Sequence, residues 1–570
     1  MAWIRQLVNH SNVNNKNVGL DKISNIVRHH LRILSFITGI ENVMSGICFM
    51  ELFKCTMNIC MLGYYVLTAW IDNDMRNLVV CSVILFSMIF NIFIICYIGD
   101  ILTEQCKMIG EAVYMTNWYY LPGKDILDLI QIILRSSMVI KITAGKLVHM
   151  SIYTFGNSYL RVAMMIDKFV PIEQDNHSLS NHSVQLNRWL LKSIGAWPSF
   201  SSTTKLEKII SFVLIICCYC FICFTVIPCL LHVILEDDSF HEKLKVLGPL
   251  SHWLVGGINY TTLLLRNKEI RYCIEHMQRD WEIVTKTEDQ QVMIKHAKIG
   301  RYITMFCAAF MQGGVLSYCA VTAFSTQTIE IGNETRIVHM IPCVVYKKLI
   351  ASDTSPTNEI VIASQFVSGF IVNSSAVGAV SIAAVFTAHA CGQVSLLMAW
   401  IRQFVDHSNI QDKNIVLNDI GEIIRHHLKI LSFITGIENV MSGICFMELF
   451  KCTVNICMLG YYILTAWTGH DIQSLIVFSV ILFSMIFNIF IICYIGDVLT
   501  EQCKMIGEAV YMTNWYYLPG KDILNLIQII LRSSMVIKIT AGKLVHMSIY
   551  TFGNVMKTAF TYLNLLRQMT

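Results

Sequence analysis

The sequence predicts an all-α membrane protein: a bundle of seven transmembrane helices with a cytoplasmic N-terminus and an extracellular C-terminus, preceded by a partial copy with about three spans. Three observations lead to this fold class. Hydrophobic residues make up 55% of the 570 residues and charged residues only 14%, where a soluble chain has roughly 25% charged residues. Seven apolar segments reach the length of about 20 residues that spanning requires. Residues 1–157 recur at 398–554 with 25 differences.

The repeat has a constant offset of 397 residues, and 23 of the 25 differences lie before Ser82. A solenoid would have a period of roughly 20–50 residues, and the internal repeats of transporters retain only weak similarity. Two possible start methionines, Met164 and Met165, follow the point where the copies diverge. We therefore interpret 1–157 as the C-terminal part of a close paralogue, joined to a complete protein at about 164–570. A functional duplication is the alternative interpretation. The predicted domains are the partial copy at 1–157, a cytoplasmic N-terminal segment at 158–208 and a helical domain at 209–570.

Each predicted span of the complete unit is a long apolar run. They lie at 209–235, 247–265, 302–324, 360–397, 433–467, 475–495 and, interrupted, 523–566. The polar stretch at 537–543 predicts that a cytoplasmic helix precedes the final spanning helix.

Basic residues in the short flanks of the spans predict the orientation, because cytoplasmic flanks carry an excess of Lys and Arg. Segment 158–208 holds six Lys and Arg and loop 266–298 holds seven, whereas 236–246 holds two and 468–474 none. The N-terminus is therefore expected inside and the C-terminus outside. The sequon at Asn333 then falls in an outer loop and is a candidate glycosylation site.

Several other functions are less consistent with these residues. A G-protein-coupled receptor would have its N-terminus outside. A transporter would place ionisable residues at mid-membrane, and the candidates are Glu438, Glu448 and Lys451. The last two are three residues apart on one helix face, and we expect them to form a structural ion pair. A non-functional product of two joined genes is a further alternative.

The remaining chemistry-bearing residues favour no enzyme. We find no phosphate-binding loop, no G-x-S-x-G motif and no H-E-x-x-H motif, and we expect no cofactor or metal. Most of the 21 cysteines lie in apolar runs, where thiols pack as small hydrophobic groups. The segment Arg425-His426-His427 suits an interfacial basic belt. A net charge of +4 without a basic run does not indicate nucleic-acid binding.

The C-terminal third resembles the insect odorant receptors, and the N-terminal segment NRWLLKSIGAWP resembles those of ants, bees and wasps. The resemblance is carried by NICMLGYY, CYIGDVLTEQ, GEAVYMTNWYYLP, LRSSMVIKITAGKLVHMS and the terminal TAFTYLNLLRQ. It implies an odorant-gated, non-selective cation channel of four subunits, in which an odour-specific subunit assembles with a shared co-receptor. The expected location is the plasma membrane of an olfactory sensory neuron dendrite.

The resemblance also implies site residues. In the terminal T-Y pattern, anchored on Thr561-Tyr562, the pore-gate positions fall on Leu565 and Met569, with Gln568 at a polar pore position. A ring of apolar side chains can close a pore by excluding water. The inner ends of the later helices would form a subunit anchor that includes Tyr511, Trp515 and Tyr516.

The ligand would be a small volatile molecule held by apolar and aromatic side chains with a few polar groups. The outer halves of the second to sixth helices supply the candidates. These pocket candidates are Trp253, Met311, Tyr318, Phe366, Phe370, Tyr461 and Tyr462.

Overall fold

The computed structural model describes residues 16–71, 75–114, 132, 136, 142–146, 148–151, 154, 176–200, 203–237, 240–284, 286–331, 334–408, 413–469, 472–514, 518, 520–534 and 538–569. The chain divides into two compact units, Met1–Lys168 and Phe169–Thr570. Each unit is described by itself.

The first unit contains two long helices, α1 (Lys16–Ile71) and α2 (Met75–Tyr114). They pack against each other, and the short strands β1 (Thr143–Ala144) and β2 (Val148–His149) form an antiparallel pair beside α1.

The second unit is a helical bundle. Its elements are α3 (Asn176–Ser193), α4 (Lys205–Leu235), α5 (Phe240–Leu265), α6 (Asn267–Ile283), α7 (Thr287–Phe324), β3 (Thr326–Ile331), β4 (Glu334–His339), α8 (Thr357–Ser408), α9 (Lys413–Thr468), α10 (Ile472–Tyr511), α11 (Gly520–Ser534), β5 (Thr540–Ala541), β6 (Val545–His546) and α12 (Ile549–Met569). The seven predicted spans lie in α4, α5, α7, α8, α9, α10 and α12, so the seven-helix fold class is confirmed.

Length and composition alone distinguish fewer helices. Across the described residues, six helices are long and apolar enough to cross a membrane, one in the first unit and five in the second. The other two helices that we assign as spans, α5 and α12, are not among these six. The sequence predicts a loop at 266–298, but part of this basic segment is the amphipathic helix α6. The apolar side chains of α6 are interleaved with charged ones, so a search for long apolar runs does not reveal this helix.

Helix α8 lies at the centre of the bundle, and nearly all of its spanning window is buried. Its middle carries small side chains such as Ser374, Ser375, Ala376 and Gly378, which let neighbouring helices approach closely. Leu191 of α3 lies directly against Gly378. Close packing on this helix fixes the positions of the surrounding helices.

The N-terminal helices are attached by polar contacts as well as packing. In α3, Asn187 donates a hydrogen bond from Nδ2 to Ser381 Oγ of α8 over 2.9 Å. Helix α4 begins with a capping box, in which Thr204 and Glu207 satisfy each other's backbone N–H groups. The bundle therefore includes the N-terminal segment as a packed element.

Two hairpins join the helices. Strands β3 and β4 pair antiparallel from Thr326–His339 to Ile331–Glu334, in the predicted outer loop between α7 and α8. The short pair β5–β6 separates α11 from α12. The predicted break before the final helix is therefore present, and it takes the form of a hairpin.

Candidate functional site

Four helices of the second unit line a cavity of ≈ 60 Å³. Each helix contributes residues spaced three or four apart, which places them on one helix face. Its lining residues are Gly248, Pro249, His252, Trp253, Val315, Tyr318, Asn455, Leu459, Tyr462, Phe478, Ile481 and Met485, from α5, α7, α9 and α10. A water molecule needs roughly 10–15 Å³ on this scale, so the cavity suits a small molecule.

Aromatic rings shape this cavity. The rings of Tyr462 and Phe478 have centroids 5.5 Å apart, and those of His252 and Trp253 meet edge to face at 5.5 Å. Gly248 leaves room for Tyr462, since a Cβ atom there would lie 2.8 Å from the phenolic oxygen. Such packing provides a mostly apolar wall for a ligand.

The polar groups of the wall differ in their partners. Tyr318 donates its hydroxyl hydrogen to the carbonyl oxygen of Pro342 over 3.1 Å. Asn455 donates to the carbonyl oxygen of Lys451 over 2.9 Å and accepts from Ser251 over 3.4 Å. Both ring nitrogens of His252 and the indole nitrogen of Trp253 are buried and have no hydrogen-bond partner.

Three of the seven predicted pocket residues, Trp253, Tyr318 and Tyr462, meet at this cavity. The other four do not line it. Met311 and Tyr461 are buried, Phe370 is half-buried and Phe366 is exposed.

The sequence does not predict the remaining lining residues, because large apolar and aromatic side chains in the outer halves of the helices do not by themselves indicate a helix face. A signal was present in the three- and four-residue spacing of 455, 459 and 462 and of 478, 481 and 485. This spacing identifies two helix faces that converge on Tyr462.

A buried ionic cluster lies near the cavity on α9. Lys451 Nζ is 2.7 Å from Glu448 Oε1, and both side chains are buried. Asn488 donates to the other carboxylate oxygen over 2.6 Å, and Asn259 also donates to the carboxylate. The predicted ion pair is therefore present, with amides filling the remaining acceptor positions of the carboxylate.

The hairpin before α12 is held by α9. Glu438 accepts hydrogen bonds from the backbone N–H of Thr540, over 2.8 Å, and from its hydroxyl. Ser442 accepts at its carbonyl oxygen from the N–H of Gly542 over 2.8 Å and at its hydroxyl from the N–H of Lys543 over 3.1 Å. Gly542 has φ of +60°, a conformation that favours glycine. We call these contacts the α9–hairpin clamp.

The last helix buries one part and exposes another. Phe552, Val555 and Ala559 are buried in its first half. Leu565 is 51% exposed, and Gln568 is also exposed. The side chain of Met569, the third predicted gate residue, lies outside the described residues.

The predicted anchor and glycosylation sites are only partly described. Tyr511 ends α10 and is exposed. Trp515, Tyr516 and Asn333 lie outside the described residues.

A second buried polar cluster surrounds Asp280 of α6. His389 Nε2 lies 3.0 Å from its carboxylate, His276 Nδ1 3.2 Å and Lys429 Nζ 2.5 Å. Burial alone would raise the pKa of Asp280, but these donors outweigh it and hold that pKa well below its usual value. Among the described residues, no group of three His, Cys, Asp or Glu side chains is placed to hold a metal ion.

The fold and cavity define a class of protein: a multi-span helical membrane protein with a small, mostly apolar cavity between its helices. The family model described as 7tm Odorant receptor matches residues 2–164 and 239–560. The chain therefore belongs to the odorant receptor family and is a multi-pass membrane protein. The first matched range coincides with residues 1–157 of the repeat. The second contains the recurrence at 398–554 and extends upstream to residue 239.

Curated relatives are similar over parts of the chain. Odorant receptor 13a of Drosophila melanogaster is 28% identical over 196 residues, which cover 32% of this chain and 47% of that protein. Odorant receptor 83a of Drosophila melanogaster is 26% identical over 147 residues, which cover 26% of this chain and 32% of that protein. The chain thus spans a third to a half of the length of these relatives. Odorant receptor Or2 of Anopheles gambiae is 19% identical over 359 residues, 60% of this chain and 91% of that protein.

A solved structure has the same fold. The insect olfactory receptor OR5 from Machilis hrabei, in complex with eugenol, aligns with a TM-score of 0.56 and 14% identity, covering 70% of this chain and 100% of that one. Without that ligand the TM-score is 0.57 at the same identity and coverage. At this identity the likeness establishes the fold.

Proposed function

We propose that residues 158–570 form an odour-specific subunit of a ligand-gated, non-selective cation channel. A small odorant binds the cavity between α5, α7, α9 and α10, and α12 lines the pore. The subunit assembles with the odorant receptor co-receptor as a heterotetramer in the plasma membrane of an olfactory sensory neuron dendrite. Residues 1–157 are a partial copy of a paralogue.

One observation carries the channel proposal: part of α12 packs against the bundle, and another part is exposed in the single chain. Gly460 of α9 lets Leu563 approach closely, and Phe552 and Ala559 are buried. Phe560, Tyr562 and Leu565 are exposed in the single chain. An apolar surface at the end of the last helix is expected where subunits surround a shared pore.

The connection from cavity to pore supports the same proposal. Helix α9 contributes Asn455, Leu459 and Tyr462 to the cavity. The same helix holds the hairpin that leads into α12 through the α9–hairpin clamp. A ligand that shifts α9 would therefore shift the start of the last helix.

The test is to express the chain with a co-receptor in oocytes and record currents across an odorant panel. Odour-evoked cation current that persists with G-protein inhibitors is expected. Substrate-coupled flux without unitary channel events would contradict the proposal and favour a transporter. Current abolished by the inhibitors would favour a G-protein-coupled mechanism.

The gate assignment has a separate test in Leu565→Ser. If Leu565 closes the pore by excluding water, a polar side chain there lowers the wetting barrier and raises the current measured without odorant. Leu563→Ser is the matched control on the bundle-facing side of the same helix. A larger standing current in the control than in Leu565→Ser would contradict the assignment.

A further inference from the structure

We propose that the ligand of the cavity carries an oxygen atom that accepts a hydrogen bond from the ring N–H groups of His252 and Trp253. The ligand class is therefore a small oxygenated molecule, such as an alcohol or a ketone, in preference to a hydrocarbon. This inference rests on the proposed function, since it assigns the chemistry of the same cavity.

The first support is that the unpaired nitrogens belong to lining residues. The side chain of Trp253 is almost fully buried and that of His252 nearly so, and both line the cavity. Trp253 Nε1 and both ring nitrogens of His252 have no partner. Buried N–H groups nearly always have a hydrogen-bond partner, so these positions call for one.

The second support is that the other polar groups of the wall are engaged. Tyr318 donates to Pro342, and Asn455 has partners at both its nitrogen and its oxygen. Tyr462 also has a partner. The unsatisfied hydrogen-bonding capacity of the wall is thus concentrated on two adjacent residues of α5.

The chemistry of these rings sets the ligand class. Indole is only a donor, and a neutral imidazole has one donor and one acceptor. Their centroids lie 5.5 Å apart, so one small molecule can reach both rings. A hydroxyl oxygen can accept from Trp253, and its hydrogen can be donated to the unprotonated ring nitrogen of His252. A ketone can only accept, and an alkane leaves every nitrogen unpaired.

The experiment uses the full chain with a co-receptor and a panel of alkanols, methyl ketones and alkanes matched in carbon number. Oxygenated members should evoke current at concentrations about tenfold lower than the matched alkanes, the ratio expected for satisfying one buried donor. Trp253→Phe and His252→Phe keep aromatic rings without the N–H groups. Each variant should reduce the ratio between the effective concentrations of the alkanes and of the oxygenated members. In the double variant this ratio should be close to one.

The control is Ile481→Val, which changes the apolar wall and should shift alcohols, ketones and alkanes alike. Surface labelling measures how much of each variant reaches the membrane. An unchanged preference in Trp253→Phe and His252→Phe would overturn the inference and leave the proposed function standing. If no alkanol or ketone evokes current while other members of the odorant panel do, the inference fails and the proposed function stands. If no member of either panel evokes current from wild-type complexes present at the surface, both fail.

A different observation supports a second inference. Cys229 of α4 and Cys343, after β4, are buried with their Sγ atoms 3.6 Å apart. We infer that these two residues form a disulfide bond that fixes the segment after β4 to α4.

The backbone on both sides of this pair is held in place. Tyr346 N–H donates to the carbonyl oxygen of Pro228 over 3.2 Å. Gln365 accepts from the N–H of Cys343 over 2.9 Å and donates to its carbonyl oxygen over 2.7 Å. The sulfur atoms, 3.6 Å apart, need to move together by about 1.6 Å to reach the S–S bond length of about 2.0 Å.

The chemistry requires an oxidising compartment, which the predicted outward side provides during secretion. The two thiols lose two protons and two electrons to the disulfide of a secretory-pathway oxidoreductase, which is reduced to two thiols. In the folded, reduced protein, the contact with Cys229 and burial raise the pKa of the Cys343 thiol. Oxidation is therefore expected during synthesis, before the pair is buried.

The test is mass spectrometry of the protein extracted from cell-surface membranes, alkylated and digested without reductant. A peptide linking Cys229 to Cys343 is expected, and it should vanish in Cys229→Ser and Cys343→Ser. Cys319→Ser, which alters a buried neighbour on α7, should retain it. Alkylation of both thiols in wild-type surface protein would overturn the inference.

Discussion

At the scale of single residues, one ion pair occurs in two environments. Glu448 and Lys451 are buried with amide partners, whereas their counterparts Glu51 and Lys54 pair at 2.6 Å with both side chains partly or largely exposed. The attraction between two buried charges is strong because the dielectric constant around them is low. Removing one partner leaves an uncompensated buried charge. The same sequence therefore has different energetic weight in the two units.

We predict that Lys451→Met destabilises the second unit by about 3–5 kcal/mol, because Glu448 would be left buried and unpaired. The double variant Glu448→Gln/Lys451→Met should recover most of that loss. Thermal unfolding of the detergent-solubilised protein is the measurement. Lys54→Met is the matched control and should leave the transition of the second unit unchanged. Equal losses in Lys451→Met and the double variant would contradict a charge effect.

The cluster around Asp280 gives a pH dependence. Its folded pKa is depressed, so its contribution to stability is complete above the unfolded pKa of about 3.9 and is lost as the pH falls towards the folded value. The groups facing it are His276, His389, Lys429 and His426. Acidification below about pH 4 should therefore lower the wild-type melting temperature.

Asp280→Asn tests this assignment. It should lower the melting temperature at neutral pH, because Lys429 loses its partner, and should reduce the further loss on acidification. Thermal unfolding between about pH 3 and pH 7 measures both effects. A variant as stable as wild type at neutral pH would show that the cluster does not stabilise the fold.

The pair Glu448–Lys451 could be predicted because spacing of three places two side chains on one helix face. The Asp280 cluster could not, since Asp280, His389 and Lys429 lie on three different helices. The cavity likewise combines features that the sequence shows with features that it does not. Its aromatic residues stand out in the sequence. The importance of His252 depends on its two unpaired ring nitrogens, which only tertiary packing reveals.

At the scale of elements, the break before α12 depends on a close approach of two backbones. A Cβ atom at Gly496 of α10 would collide with the carbonyl oxygen of Met547. Gly99 meets Met150 in the same way in the first unit. Both units also have the positive-φ pair, Gly145–Lys146 in one and Gly542–Lys543 in the other.

We predict that Gly496→Ala destabilises the second unit by about 1–3 kcal/mol, because the methyl group forces α10 away from the hairpin. Cell-surface labelling and odour-evoked current should both fall. Gly99→Ala makes the same change in the partial copy and should leave that current unchanged. Full activity of Gly496→Ala would mean that the hairpin adjusts without cost.

The sequence placed this break correctly, because polar residues and glycine interrupt the apolar run. It does not indicate the hairpin or the role of Glu438, which in the sequence is only an ionisable residue within a predicted span. Strands of two residues are too short to show an alternating pattern. Helices α8 and α9, at 52 and 56 residues, are also longer than the predicted spans. A predicted span ends where the apolar run ends, whereas each helix continues into polar sequence.

At the scale of the whole molecule, identical residues differ in exposure between the two units. Phe433 and Val440 are each 1% exposed, whereas Phe36 is 69% and Val43 66% exposed. In the second unit α9 packs against α5, α8 and α10. The first unit has α2 as the described helix partner of α1, so most of the buried neighbours of α9 have no counterpart there.

We predict that residues 169–570, expressed with a co-receptor, reach the cell surface and conduct as well as the full chain. The reason is that this range contains the cavity, the α9–hairpin clamp and α12. Residues 1–168 alone should neither reach the surface nor conduct. Surface labelling and odour-evoked current measure both. Loss of activity in 169–570 would mean that the first unit contributes to the receptor.

Helix α9 also has a mechanical consequence. It is 56 residues long, about 84 Å at 1.5 Å per residue, which is more than twice the bilayer core of about 30 Å. Tyr462 at the cavity and Lys429 at the Asp280 cluster are separated along it by about 50 Å. If α9 tilts as a rigid rod by about 2° at Tyr462, the point about 50 Å away moves by nearly 2 Å. This displacement is enough to make or break a hydrogen bond. Helix α9 can thus act as a lever, because a small tilt at the cavity becomes a larger displacement at the end that holds Lys429.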